Sequence, residues 1–204
     1  MRISKVLRAL VCACSLPLIS CATTRDVQAW KDGAYQGKIK KTLVVMVLSA
    51  PLMRNFIEQE FVVQFKARGV EGVASNKLIS AELARDKQAT LSFIKGQGIG
   101  TVIVTRMMDH RYSDRARGGG VGYLPAGYGL GWDGIYNDGF LEVGLPVAQS
   151  SLDVYTMQMN VYDVQEGKLI FSAVSNTRIE GAKEKVVAPF VETMVRELAG
   201  ARLL

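Results

Sequence analysis

Histidine is almost missing from this 204-residue chain: His110 is the single one. That removes most of the vocabulary of acid–base and metal chemistry. No His-Glu-x-x-His pattern supplies a zinc site, and no Gly-x-Ser-x-Gly elbow supplies a nucleophile. His110 follows Asp109, but neighbours on a strand point to opposite faces, so the pair does not orient itself for base catalysis. Cysteine is scarce too. Cys12, Cys14 and Cys21 all fall within the first 21 residues, leaving no disulfide, thiolate nucleophile or sulfur metal site for the rest of the chain. Neither sign of charge dominates. The net +6 falls to +3 once Arg2, Lys5 and Arg8 are set aside, too slight and too interspersed to argue for nucleic acid. The expectation is a chain with no catalytic residue, no cofactor and no metal site.

What is present begins with an address. Arg2, Lys5 and Arg8 give a positive start, Ala9 to Ile19 an apolar stretch, and the small Ser20 precedes Cys21, the three parts of a secretory signal. The apolar stretch is far short of the roughly 20 residues a spanning helix requires. The run Leu18-Ile19-Ser20-Cys21 resembles the bacterial lipoprotein box. That resemblance implies a diacylated cysteine thiol and cleavage just before it, with residues 1–20 as signal peptide. Ala22 follows the cysteine where an aspartate would suggest inner-membrane retention, so the resemblance points to the outer membrane, with the protein facing the periplasm. Several acyl chains hold a protein firmly where one does not. Residues 21–41 are mostly polar and aperiodic and read as lipidated N-terminus and tether, with Trp30 or Tyr35 able to pin it to the domain. Fully extended, twenty residues would reach about 66 Å at ~3.3 Å each.

Residues 42–204 are long enough for one domain with a proper core. "TLVVMVLS" (42–49) is a continuous apolar run suited to a central strand covered on both faces. Ser49 can cap a helix that Pro51 opens, and Met53, Phe56, Ile57, Phe61 and Phe65 recur at helical spacing up to Lys66 and Gly69. "VEGVAS" is a weak strand. Ser80 opens a second helix using Leu83, Leu91 and Ile94, and "GTVIVTRMMD" (100–109) is another buried strand. Residues 151–179 alternate in two runs joined at Gln165 to Lys168, a β-hairpin. A last amphipathic helix uses Val187, Phe190, Val191, Met194 and Leu198, kinked or restarted at Pro189. The expectation is an α/β fold: a mixed sheet of about five strands and three helices, in the order β-α-β-α-β, insertion, hairpin, α.

The hairpin and terminal helix resemble a family of uncharacterised bacterial envelope lipoproteins. The residues that carry this are Leu152-Asp153-Val154, Asp163, Gly167-Lys168-Leu169 and Phe171, the last where that family commonly has tryptophan. More distantly, the layout is similar to the curli secretion lipoprotein and the amino-terminal domain of TolB. Those resemblances imply a module that binds partners or assembles rather than an enzyme.

Three patterns suggest ligands and have plainer readings. Met157-Gln158-Met159 puts two thioethers on one strand face, which suits Cu(I) but equally an apolar core stripe. Gly96-Gln97-Gly98-Ile99-Gly100 precedes a strand, whereas a phosphate cradle follows one and opens a helix. The start of the first helix, beside Arg54, has that geometry, as does every helix start. Residues 118–144 are the part least explained by folding: ten glycines among 27 residues, interleaved with Tyr123, Tyr128, Trp132, Tyr136 and Phe140. Those aromatics suit a partner or membrane contact surface; the alternative is an insertion whose aromatics fold back onto the sheet. On the contact reading a short linker could replace the segment without loss of the fold. The expected function is therefore a non-enzymatic envelope binding or assembly module with an envelope protein partner. An oligomeric secretion or pore component is the alternative, and a hydrolase or metal-handling protein centred on His110 and the methionines is a more distant one.

Overall fold

The strand β2 (Lys41–Val47) sets the architecture, because Thr42 to Val47 are all buried. Its side chains alternate between two cores. Val44 and Met46 pack into one apolar cluster, Leu43, Val45 and Val47 into another, so the sheet must be covered on both faces. The computed structural model describes residues 24–48, 50–108, 136, 154–178 and 184–204. Around β2 lie β1 (Thr24–Lys31), β3 (Glu71–Ala74), β4 (Thr101–Met108), β5 (Val154–Asp163) and β6 (Lys168–Arg178). The helices are α1 (Pro51–Lys66), a single turn α2 (Ser75–Leu78), α3 (Lys87–Gly96) and α4 (Glu184–Gly200), with a 3-10 turn at Leu83–Arg85.

The six strands form one mixed sheet in the order β1-β6-β5-β4-β2-β3. β2 pairs in parallel with β3 and with β4, and the remaining pairs are antiparallel. The α/β class holds, with one strand more than expected and an extra helical turn. The additional strand is β1, which falls in the stretch read as a tether. It pairs with β6 from Thr24↔Thr177 to Lys31↔Phe171, with an irregularity between Arg25 and Gln28. Only Ala22 and Thr23 separate it from Cys21. After β1, Tyr35 packs against the first core, and its phenol pKa is raised by burial and then by the nearby Asp163 carboxylate.

One face carries α1 and α4. Phe61, Phe65, Phe190, Val191, Met194 and Leu198 meet Met157, Met159, Val161 and Ala173 there, with Phe190 edge-on to Phe61 at 6.2 Å. Met157 and Met159 are thus core residues on one strand face. Gly72 lets α1 settle on β3, since a Cβ there would stand 3.1 Å from Val62 Cα. The other face carries α3, whose Ile94 packs on Ile99, Val102 and Val104. The second helix starts later than Ser80. Ser80 accepts from Leu83 N at 3.1 Å but opens only the 3-10 turn, whereas Asp86 Oδ1 accepts from Ala89 N at 2.9 Å and caps α3. Capping of α1 also differs: its N-cap position is Ala50, with no side-chain cap bond, and Ser49 lies outside the described residues. α4 is continuous through Pro189. The hairpin turns through Gly167 at φ +66°, a conformation glycine adopts without steric cost.

Thr105 is fully buried between Met46 and Met159 in the sheet register, and its hydroxyl has no hydrogen-bond partner. An unpaired buried hydroxyl is a net cost, so Thr105→Val should raise unfolding free energy by about 1 kcal/mol. A higher urea midpoint at unchanged m-value is the expected readout; a lower midpoint would mean the hydroxyl is paired.

Candidate functional site

The sheet register gathers several chain ends at one pole. Thr24 opens β1 opposite Thr177, Val154 opens β5 opposite Arg178, and Met108 closes β4 opposite Thr156. Val47 closes β2 beside Arg106, and α1 starts four residues later at Pro51. The segment between β4 and β5, which contains 118–144, leaves and re-enters at this pole. Moreover α1 packs on one face and α3 on the other, so the parallel connections diverge between β2 and β4. In open α/β sheets such a divergence at the carboxyl ends of strands is where ligands bind.

Two polar systems lie on opposite faces of the sheet, the first of them beside this pole. In the first, Glu58 on α1 is fully buried. Its Oε1 accepts from Met46 N (3.0 Å), Arg54 Nε (3.0 Å) and Ser75 Oγ (2.8 Å), while Oε2 accepts from Asn76 N (3.0 Å). Arg54 also donates to Ser75 Oγ at 2.9 Å. A buried carboxylate is tolerated only with such full pairing. The arrangement ties α1 to β2 and to the turn after β3, and it spends Arg54 on Glu58. Arg54 is therefore turned to an internal partner rather than standing ready for an anion at the helix start.

The second system lies on the opposite sheet face, across β4, β5 and β6. Arg106 Nε donates to Gln158 Oε1 (2.9 Å), Ser172 Oγ to Asn160 Oδ1 (2.7 Å), Asn160 Nδ2 to the Tyr162 hydroxyl (3.2 Å) and Thr156 Oγ1 to Asn176 Oδ1 (3.0 Å). Thr156, Gln158, Asn160, Tyr162 and Ser172 are all buried. Sequence reasoning missed this seam. The signal was present as polar residues at every second position of 156–160 with Ser172 and Asn176 opposite, but that alternation ordinarily marks a wet face.

Of the five aromatics assigned to a contact surface, Tyr136 is described, and it is buried. It packs with Leu43, Val45 and Ile94, and its hydroxyl donates to Ala84 O at 2.9 Å. Tyr136 thus sits in the second core, and a linker in place of 118–144 would remove that packing. Tyr123, Tyr128, Trp132, Phe140, Cys21 and His110 lie outside the described residues. Among the described residues no cluster of His, Cys, Asp and Glu is placed to hold a metal, and no helix is long and apolar enough to cross a membrane.

No protein-family profile and no characterised protein matches the sequence. Among solved structures, the chain is similar to the PelC dodecamer of Paraburkholderia phytofirmans in two crystal forms. A point variant of that protein is 12% identical over 85% of this chain and 98% of its own, with a TM-score of 0.48. The second form gives 13% identity, 85% and 96% coverage, and a TM-score of 0.47. These are likenesses of layout.

Substitutions at two positions test the geometry. Glu58→Ala strands four donors in the core and should cost about 3–5 kcal/mol in chemical unfolding, the scale of a broken buried ion pair. Tyr136→Phe should cost about 1 kcal/mol and Tyr136→Ala about 3–5 kcal/mol. A neutral Tyr136→Ala would return that residue to the surface.

Proposed function

We propose that the protein is a non-enzymatic lipoprotein of the outer membrane, facing the periplasm, that acts as an envelope binding or assembly module. One observation carries the reading: a cysteine in lipoprotein-box context stands three residues before the first residue of an edge strand. An acylated Cys21 would therefore hold the folded domain against the membrane, within about 10 Å at ~3.3 Å per residue. Of the stretch 21–41 read as lipidated N-terminus and tether, β1 takes up residues 24–31. The functional pole is then membrane-proximal, and the segment with Tyr123, Tyr128, Trp132 and Phe140 departs from it. We assign these four aromatics to partner or membrane contact, with Tyr136 as their internal fixture.

The second reading is an oligomeric secretion or pore component built from copies of the chain. The observation in its favour is Val63, apolar and 60% exposed on the last turn of α1. The PelC structures are themselves dodecamers, a property of that protein.

Cys21→Ser should abolish incorporation of labelled palmitate and either release the protein from membranes or stall its precursor. Unchanged attachment and maturation in that variant would retire the lipoprotein reading. Light scattering of the detergent-extracted wild-type protein separates the two readings: a particle of about one chain favours the module, and a ring-sized particle favours the pore component.

A further inference from the structure

The outer side of α1 exposes two large apolar side chains beside Asn55, where a water-facing helix surface is ordinarily polar throughout. Leu52 is 87% exposed and Phe56 45% exposed, one turn apart on the same face. The inner side is independently satisfied, because Ile57, Phe61 and Phe65 fill the core. Leu52 and Phe56 are therefore surplus to folding. We infer that the first two turns of α1 rest, through Leu52 and Phe56, on the lipid surface to which Cys21 is anchored; the inference rests on the lipoprotein reading.

The placement follows from chain length and register. Cys21 is three residues from Thr24, so the acyl attachment point stays within about 10 Å of the start of β1. The register carries that level across the sheet from Thr24 through Thr177, Val154 and Met108 to Val47. β1 and β2 are four strand spacings apart, about 19 Å at ~4.8 Å each, and α1 begins directly beyond β2. A plane that meets the sheet at this pole, close to Cys21, also meets the first turn of α1. Val63 lies about 16 Å farther along the helix axis from Leu52, at 1.5 Å per residue, and stands clear of that plane.

The local chemistry agrees. The first turn has Pro51 at its start, no acidic residue and no side-chain cap, so no carboxylate would be pressed against lipid headgroups. Arg54, the nearest cation on the helix, is held inward by Glu58 and Ser75. The tip that faces the membrane is Pro51-Leu52, with a proline where the helix has no N–H to satisfy, while Met53 packs against the first core.

The test uses the acylated mature protein, in which Cys21 is blocked and a single new cysteine can be labelled. Leu52→Cys, Phe56→Cys and Val63→Cys each receive an environment-sensitive fluorophore and are reconstituted into vesicles of phosphatidylethanolamine and phosphatidylglycerol carrying brominated lipid. Labels at 52 and 56 should shift to the blue and be quenched by the brominated chains, while the label at 63 stays water-like. In the unacylated Cys21→Ser protein, adding Leu52→Ser and Phe56→Ser should lower partition into the same vesicles by roughly tenfold or more, since one fully buried side chain of this kind is worth at least that. Acylated, vesicle-bound protein with water-like labels at 52 and 56 overturns the contact alone. Shifts that follow protein concentration, with no bromine quenching, assign the face to a second copy and overturn it too. A mass spectrum without acyl chains on Cys21 removes the lipoprotein reading and this contact with it.

Discussion

A strand with no wet face constrains everything around it. β2 buries six consecutive side chains, so an apolar layer must exist above and below it, and the chain must supply both from its next two connections. It does so by laying α1 on one face and α3 on the other. The divergence between β2 and β4 follows from that requirement, as does the position of α1, whose start must project from the carboxyl end of β2. Glu58 then fixes the corner. Its four hydrogen bonds link helix, central strand and the turn after β3, and a pairing of this kind tolerates little displacement.

Much of the fold was legible where one strong pattern ran without competition. The apolar runs of β2 and β4, the alternating hairpin and the periodicity of α1 and α4 are all visible in the residues, because a single burial pattern dictates each. The unread parts have physical reasons. β1, "TRDVQAWK", is an edge strand paired along one side, with a broken register, so its sequence is under weak demand for alternation. At the second helix two capping residues competed. Ser80 and Asp86 each bond a backbone N–H three residues on, and only the second is followed by an uninterrupted helical stretch.

The site was less legible than the fold. Glu58 looked like an ordinary acidic residue on an amphipathic helix, since its partners Met46, Ser75 and Asn76 are distant in sequence. The polar seam on β5 and β6 had the period of a solvated face, and nothing local distinguishes a polar residue that faces water from one that faces another polar residue. Tyr136 was grouped with its aromatic neighbours by composition, yet its hydroxyl answers the carbonyl of Ala84, a pairing that only the assembled sheet and 3-10 turn create.

The methionines of the first core carry a consequence for how the molecule ages. Met46, Met159 and Met194 have no exposed surface, so a peroxide cannot reach their sulfurs while the sheet stays closed under α1 and α4. Oxidation to the sulfoxide would place a polar, chiral group where the packing admits none. The chemistry is thereby gated by opening, and each oxidised methionine records a moment at which the core came apart. Sulfoxide accumulated over time would act as a clock of past unfolding, written into the protein that survived it.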